Sequence, residues 1–494
     1  MNVYFAVLLG YSAVLILVGQ VAAKRVHNAS DFLVGGRRFG AGIIFATFLA
    51  ANIGAGSTVG ASGLGFRIGL SAWWWVGSAG IGTLILSQSV GPRLWRIAKE
   101  HQLHTLGDYL EFRFSKTVRG VISVILWFGT LAILAGQIIA ISWILNVVVG
   151  LPKWAGCVAG GLVAVSYCAV GGIAASAIVN IFELAVTMTG LTISALYALH
   201  MVGGWFRLSG ALAARSGDWA ARLTTFTGAG PSAIFALLAI LVPSFICSPG
   251  LVQKIYSARD ERSVRVGVAF NSLGQLLFAF VPALFGMIAL VRFGALPNAE
   301  LALPTVLTHM VPAWLGVWAL AAIFSAELSA TDAILFMLST SLAVDLYKTF
   351  LRPAVTEKEL LRVSRATTVG AGFAGVGLAI VLPSVIAAVT IFYGLLAVAL
   401  FVPLLLGLYW KRMNATAALA SIFVAIGADL AVQFETTGFW FHTTIRLAPV
   451  RHFPMVSPPA VGICAGFIIA VVASMIAPGP HRAAVEESAG EERT

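Results

Sequence analysis

The sequence predicts an all-α integral membrane protein of about 13 transmembrane helices, ten of which form a 5+5 inverted repeat. Of its 494 residues, 59% are hydrophobic and only 10% are charged, and the mean hydropathy is +0.94. Soluble domains carry about 25% charged residues, so this composition excludes a set of soluble domains. The number of long apolar segments predicts the number of helices. Two of these segments are interrupted by glycine, proline and polar residues, and this pair of interruptions indicates the repeat.

Thirteen apolar segments predict membrane-spanning helices, because about 20 helical residues cross the hydrocarbon core. They form a single polytopic domain over residues 1–480, and a short polar tail follows at 481–494. The two repeats cover about 41–201 and 232–409, and three further helices flank them. The predicted spans 1 to 13 are 3–23, 41–66, 70–91, 119–149, 154–170, 175–201, 232–251, 266–291, 314–345, 366–386, 388–409, 414–434 and 457–477.

The positive charges predict the orientation in the membrane. Span 1 has no basic segment before it, and Lys24 and Arg25 follow it, which indicates a retained span with the N-terminus outside. The predicted inner loops then hold 23 of the 31 Lys and Arg residues, and the C-terminus is cytoplasmic. We therefore expect a multi-pass protein of the cell's inner (plasma) membrane. The net charge of +11 reflects this topology, so no nucleic acid partner is expected.

Two of the predicted spans are interrupted by residues that break helices. Span 2 contains Asn52–Ser57 (NIGAGS), and span 7 contains Pro243–Gly250 (PSFICSPG). Unwound backbone at membrane depth is tolerated only where it lines a cavity or is buried in protein. Each interruption lies in the first helix of a repeat, and such paired breaks are typical of inverted-repeat transporters. The alternative is glycine used for close helix packing.

Span 9 carries an unusual number of polar residues for an apolar helix, namely Ser325, Glu327, Ser329 and Asp332. A carboxylate at the centre of a membrane helix costs about 2.5–3.5 kcal/mol, so these residues predict an interior ion or substrate path. At 100° per residue, Ser329 and Asp332 lie about 60° apart, whereas Glu327 is about 160° from Ser329. The alternative is a structural role, with serines bonded to their own helix and carboxyl groups hydrogen-bonded in the interior.

Six short motifs make the chain resemble the sodium:solute symporter family, which has the LeuT-type fold, over roughly residues 3–435. Each motif is weak alone, but their order and spacing match the family pattern. The motifs are Asp31–Arg37 (DFLVGGR), Thr105–Phe114 (TLGDYLEFRF), Gly171–Ile173 (GGI), Ser248–Lys254 with Ala258–Asp260, Asp345–Lys348 (DLYK) and Trp410–Arg412 (WKR).

The resemblance implies a sodium site between spans 2 and 9. A sodium ion needs about five or six oxygen ligands, which carbonyls at unwound helix ends and hydroxyls of a neighbouring helix can supply. The family pattern has a second hydroxyl where this chain has Ala330, so the site is one ligand short unless water or another group substitutes. The residues implied are the carbonyls of Ala50, Ile53 and Ala326 and the side chains of Ser329 and Asp332.

A second ion site, or a proton site, is the other possibility that the resemblance raises. Some family members pair an Asp on span 6 with polar residues of span 9, but here the span 6 position is Asn180 and the carboxylate is Asp332. Glu183 and Glu327 are further acidic residues in these two spans. Proton coupling through these carboxylates therefore stays open as an alternative to sodium coupling.

The resemblance implies a secondary active transporter that imports a small organic solute with a cation, without a cofactor or an obligate protein partner. Four residues are candidates for binding the solute by position, and no Lys or Arg is expected deep in the cavity. A transporter-fold sensor is a weaker alternative, because no output domain follows span 13. An enzyme is not expected, since H-E-x-x-H, G-x-S-x-G and P-loop patterns are missing. The four candidates are Asn52, Ser57, Phe245 and Tyr393.

Overall fold

The computed structural model of the protein describes Gly10 and residues 37–168, 173–214, 222–437 and 457–476. The side chains of 167, 168, 173–180, 182, 329, 332, 357 and 434–437 are not among those described. Predicted span 1 apart from Gly10, the motif residues 31–36 and 171–172, and the tail at 481–494 lie outside the described residues. The predicted total of 13 spans therefore stays a prediction.

The regular secondary structure of the described residues is helical, apart from one isolated β-bridge between Phe39 and Ala258. Ten helices in these ranges are long and apolar enough to cross a membrane, and two shorter apolar helices accompany them. The helices are α1 Ala41–Asn52, α2 Ala61–Ile68, α3 Trp73–Ile85, α4 Gly91–Glu100, α5 Leu106–Arg113, α6 Lys116–Val149, α7 Lys153–Cys168, α8 Ile173–Met201, α9 Gly204–Ala213, α10 Pro231–Cys247, α11 Pro249–Tyr256, α12 Glu261–Phe278, α13 Phe280–Phe293, α14 Ala302–His309, α15 Ala313–Thr340, α16 Glu357–Val381, α17 Val385–Leu395, α18 Phe401–Tyr409, α19 Ala415–Thr437 and α20 Pro458–Ile476.

Short π-helical turns continue several of these helices, so that one span contains more than one of them. Gly56–Gly60 leads into α2, Leu86–Val90 joins α3 to α4, and Leu396–Leu400 joins α17 to α18. Ser341–Leu351 extends α15 in the same way. Helices thus occupy the positions of predicted spans 2 to 13, which confirms the predicted fold class over the described residues.

The boundary between spans 10 and 11 differs from the prediction. The sequence places it after residue 386, but α16 ends at Val381 and α17 begins at Val385. Leu382 is extended, and the hydroxyl of Ser384 caps the next helix by accepting a hydrogen bond from the backbone N–H of Ala387. A serine N-cap favours a helix start at that position. The prediction missed it because the residues on both sides of Ser384 are apolar, so hydropathy shows no boundary there.

Both predicted interruptions are present as breaks between helices. In span 2, α1 ends at Asn52, and Ile53 takes an extended conformation with φ −99° and ψ 91°. In span 7 the break is at Ser248, which has φ −56° and ψ 121° and precedes Pro249. A residue before proline is driven out of the α region, so this break follows directly from the sequence.

The broken helices lie in the interior of the helix assembly. Helix α1 packs against α8, α12 and α15, α2 packs against α13, and α10 packs against α3 and the turn that follows α17. Helices α8 and α15 are also joined by a hydrogen bond from the Thr187 hydroxyl to the carbonyl of Ala322, at 2.9 Å. This arrangement brings both breaks to one cavity.

Candidate functional site

A cavity lies between the two breaks, with about 90 Å³ accessible to the centres of water molecules. Residues on spans 2, 3, 4, 7, 8, 9 and 11 form its walls. The unwound segments of spans 2 and 7 both reach it, through Gly54 and Ser248 respectively. Irregular backbone at membrane depth therefore lines a cavity here, as the sequence predicts.

All four residues predicted to bind a solute line this cavity, although they come from three different spans. The Ser57 hydroxyl donates to the Asn52 carbonyl and accepts from the backbone N–H of Gly54, both at 3.0 Å. It thereby satisfies backbone groups that the helix break leaves without partners. The contact of these four residues with a solute stays a prediction.

Aromatic side chains form one wall of the cavity. The ring of Tyr393 lies 5.2 Å from that of Phe245, 5.4 Å from that of Phe392 and 6.2 Å from that of Trp75, measured between ring centroids. Such separations are typical of attractive ring contacts. The wall offers a rigid apolar surface to part of a ligand.

Amide side chains that the sequence analysis did not select form the polar wall. Gln137 of α6 lines the cavity and accepts a hydrogen bond from the backbone N–H of Ala55 at 2.9 Å. Gln275 of α12 also lines it and donates to Asn271, which in turn accepts from Asn52, both at 3.2 Å. The available signal was an amide inside a long apolar run, where an unpaired polar group would be costly.

Lys254 corrects the expectation that no lysine or arginine reaches the cavity. Hydropathy predicts an end of span 7 at residue 251 and an inner loop that contains Lys254. Helix α11 instead continues to Tyr256, and Lys254 lines the cavity. Its ammonium donates to the carbonyl of Thr47 on α1, at 2.7 Å.

The predicted sodium site falls where α1 meets α15. Ala50, Ile53 and Ala326 are all buried, and the end of α1 packs closely on α15. A Cβ added at Gly54 would lie 2.8 Å from the Cβ of Ala330, so only glycine permits this approach. The side chains of Ser329, Asp332 and Asn180 are outside those described, and the proposed ligands stay predictions.

Two buried carboxyl groups lie near this helix pair. Glu327 is fully buried, and its Oε1 accepts a hydrogen bond from the hydroxyl of Thr58 at 2.8 Å. This bond joins α15 to the π-helical turn that follows the break in span 2. Glu183 is buried on α8, the helix that packs against α15.

A buried carboxylate joins the segment before α14 to the start of α17, on the predicted outer side. Glu300 precedes α14 and is 2% exposed. Its carboxylate accepts hydrogen bonds from the backbone N–H groups of Val385 (3.0 Å) and Ile386 (3.2 Å) and from the indole of Trp143 (3.0 Å). Burial raises the pKa of Glu300, and these three donors act in the opposite direction. No sequence signal singled this residue out.

A charge cluster lies on the predicted inner side and joins two of the motifs. Arg119 at the start of α6 lies 3.0 Å from Asp108, 2.8 Å from Glu111 and 2.5 Å from Asp345, between nitrogen and oxygen atoms. Thr105 caps α5 reciprocally with Asp108. The motif at residues 105–114 and the DLYK motif are therefore held together by one arginine.

Known sodium-coupled transporters are similar to this chain in sequence and in structure. The sodium/glucose cotransporter of Vibrio parahaemolyticus is 22% identical over 86% of this chain and 84% of its own. The sodium/pantothenate symporter of Escherichia coli is 26% identical over 84% of this chain and 88% of its own. The structure of a Na+-coupled sialic acid symporter in a substrate-bound outward-open state superposes with a TM-score of 0.77 at 18% identity, over 97% and 99% of the two chains.

The structural likeness confirms the predicted inverted-repeat fold, since it covers nearly the whole of both chains. The family model for sodium:solute symporters matches residues 32–425, which is most of the sequence. That match includes both broken helices, span 9 and all four residues predicted to bind a solute. The chain therefore belongs to the sodium:solute symporter family.

Proposed function

We propose that this protein imports a small organic solute across the cell membrane together with sodium. One observation carries the proposal: the two broken helices meet at a single cavity, and the break in span 2 packs directly on the polar segment of span 9. The relatives named for sodium-coupled transport of glucose and pantothenate support the choice of ion and of solute class. They are transporters, in keeping with the prediction that the chain is not an enzyme.

The coupling follows from where the ion binds. Sodium held by the carbonyls of Ala50, Ile53 and Ala326 and the hydroxyl of Ser329 ties span 2 to span 9. A ligand shifts a conformational equilibrium only through its different affinities for the two states. Sodium therefore favours the outward-open state, solute binding permits closure, and release of sodium inside frees the solute.

The driving force is sufficient for concentrative uptake. One charge moved through 100 mV contributes about 2.3 kcal/mol, and a tenfold sodium gradient contributes about 1.4 kcal/mol. Together they support roughly 500-fold accumulation for one sodium per neutral solute. Uptake by proteoliposomes, with sodium and proton gradients imposed separately, tests the proposal. Uptake that follows the proton gradient and ignores sodium would show proton coupling instead.

Replacing Ser329 by alanine should weaken sodium dependence by roughly tenfold, which corresponds to about 1.4 kcal/mol, because one ligand oxygen is lost. The matched control is Ser325→Ala, which removes a hydroxyl one helical turn earlier on α15. The measurement is the sodium concentration that gives half-maximal uptake. Equal and negligible effects of the two substitutions would count against the assigned ion site.

Restoring the second hydroxyl by Ala330→Ser should raise the apparent sodium affinity. The new oxygen would enter the contact between Ala330 and Gly54, where the two spans approach each other closely. Sodium activation of uptake, compared with the unchanged protein and with Ala330→Val as a volume control, measures the effect. If serine and valine behave alike, the added oxygen is not a sodium ligand.

A further inference from the structure

We propose that the carboxylate of Glu327 is a ligand of the transported sodium ion and supplies the oxygen that Ala330 lacks. This inference rests on the proposed function, and it adds a ligand that the family pattern does not include. Its basis is the position of Glu327 at the contact between the break in span 2 and span 9, together with the oxygens and charges around it.

Glu327 lies on the side of span 9 that packs on the break. At 100° per residue, Glu327 and Ala330 are about 60° apart on α15. The contacts agree with this geometry, since Ala330 meets Gly54 and the Oε1 of Glu327 lies 2.8 Å from the hydroxyl oxygen of Thr58. The carboxylate therefore lies about one helical turn from the position at which the family pattern has a second hydroxyl.

The oxygen atoms around Glu327 outnumber the protons that are available to them. The hydroxyl of Thr58 lies 2.8 Å from Oε1 of Glu327 and 3.0 Å from the carbonyl oxygen of Gly54, but its single proton can be donated to only one of them at a time. The other carboxyl oxygen, Oε2, is buried and has no hydrogen-bond partner among the described residues. Such a surplus of acceptors suits a hard cation, which binds carboxylate and carbonyl oxygens.

The negative charge of Glu327 is not balanced by a side chain in the described part of the chain. None of the ion pairs found there includes this residue. The backbone N–H of Ala55, which donates to Gln137, also faces the carboxylate at the start of the second half of span 2. A helix N-terminus carries only about half a positive charge. A fully buried carboxylate is costly without a complete countercharge, and a bound sodium ion would supply it.

Sodium binding to the purified full-length protein in detergent tests the inference without knowledge of the solute. The measurement is the rise in the midpoint temperature of unfolding as sodium chloride replaces choline chloride at constant ionic strength. We expect Glu327→Gln to raise the sodium concentration that gives half of this rise at least tenfold, because glutamine keeps an acceptor for Thr58 but carries no charge. An equal half-maximal concentration in this variant and in the unchanged protein overturns the inference.

Asp429→Asn is the matched control, because Asp429 is a buried carboxyl group on α19, outside the two repeats. This substitution should leave the half-maximal sodium concentration unchanged, and an effect as large as that of Glu327→Gln would contradict a specific role of Glu327.

The midpoint temperature in choline chloride alone separates a sodium ligand from a structural acid. Without sodium, Glu327→Gln should be at least as stable as the unchanged protein, since the substitution removes a carboxylate that no side chain balances. A lower midpoint temperature, or a variant that does not fold, would show that the carboxylate stabilises the helix break itself and would contradict the inference.

A hydroxyl at position 330 should compensate for loss of the carboxylate. Ala330→Ser should lower the half-maximal sodium concentration by a larger factor in the Glu327→Gln variant than in the unchanged protein, because either oxygen can fill the same ligand position. Substitutions at independent sites have additive effects on the free energy. Equal factors in the two backgrounds would therefore contradict a shared position.

Failure of the inference and failure of the proposed function give different results. Stabilisation by sodium that Glu327→Gln leaves unchanged contradicts the ligand and leaves symport intact. Stabilisation that depends on Glu327, together with solute uptake that ignores the sodium gradient, contradicts symport and leaves the ligand intact. An unchanged protein that sodium does not stabilise at any concentration contradicts both.

Discussion

Replacing Arg119 by methionine should destabilise the folded protein by about 3–5 kcal/mol, the range for removing one partner of a buried ion pair. The side chain of Arg119 is 7% exposed and contacts three carboxylates, and the side chain of Asp345 is 10% exposed. Without the arginine, Asp108, Glu111 and Asp345 would repel one another at short range in a partly desolvated site. The contact of α5 with the end of span 9 should loosen as a result.

The midpoint temperature of unfolding in detergent, followed by size-exclusion chromatography after heating, measures this effect. Arg265→Met is the matched control, since Arg265 pairs with Glu261 across one helical turn at the surface, and such a pair is worth under about 1 kcal/mol. Arg119→Lys should be intermediate, because an ammonium keeps the charge but lacks the planar fork that reaches several carboxylates. If Arg119→Met and Arg265→Met unfold at the same temperature, the cluster does not stabilise the fold.

Replacing Glu300 by alanine should open the cavity on the predicted outer side. The substitution leaves the backbone donors of Val385 and Ile386 and the indole of Trp143 without their acceptor, at about 1–3 kcal/mol for each buried group left unpaired. Those donors gain water when the segment before α14 moves away from α17. The conformational equilibrium should therefore shift towards the open side by tenfold or more.

Labelling of a cysteine placed at Ser57, with a membrane-impermeant thiol reagent applied from outside, measures that opening. The four native cysteines are first replaced by alanine, since Cys464 is exposed. Glu300→Gln retains one acceptor oxygen and should raise the labelling rate less than Glu300→Ala. Glu359→Ala, which removes a carboxylate paired with Arg352 at the surface, is the control. Labelling rates that do not differ among these variants would show that Glu300 does not hold the outer side closed.

Much of the fold could be predicted from local sequence properties. Apolar length placed helices at spans 2 to 13, and Pro249 fixed the break at Ser248 because proline acts on its immediate neighbour. Gly54 and Gly56 indicated the other break, because glycine weakens a helix at its own position in the chain. The four candidate solute residues all line one cavity, because they lie at or beside the breaks or on helices that pack around them, and their contact with a solute stays a prediction.

The partners of individual polar side chains could not be predicted in the same way. Lys254 was assigned to a loop, since the sequence does not say how far α11 continues past residue 251. Glu300 lies 85 residues from Val385 and 157 from Trp143 along the chain, and Arg119 lies 226 from Asp345. Residues so far apart in the chain leave no periodic pattern in the sequence that would predict their contact, and only the packing of the helices brings them together.

The sequence by itself therefore determined the membrane helices, the two breaks and the family, because these follow from hydropathy, from backbone preferences and from short motifs. The tertiary structure decided where the buried charges lie: a lysine on the cavity wall, a glutamate between the segment before α14 and the start of α17, and an arginine among three carboxylates. Hydropathy and backbone preference act between near neighbours in the chain, whereas a buried charge is stabilised by whichever groups folding brings within hydrogen-bonding distance.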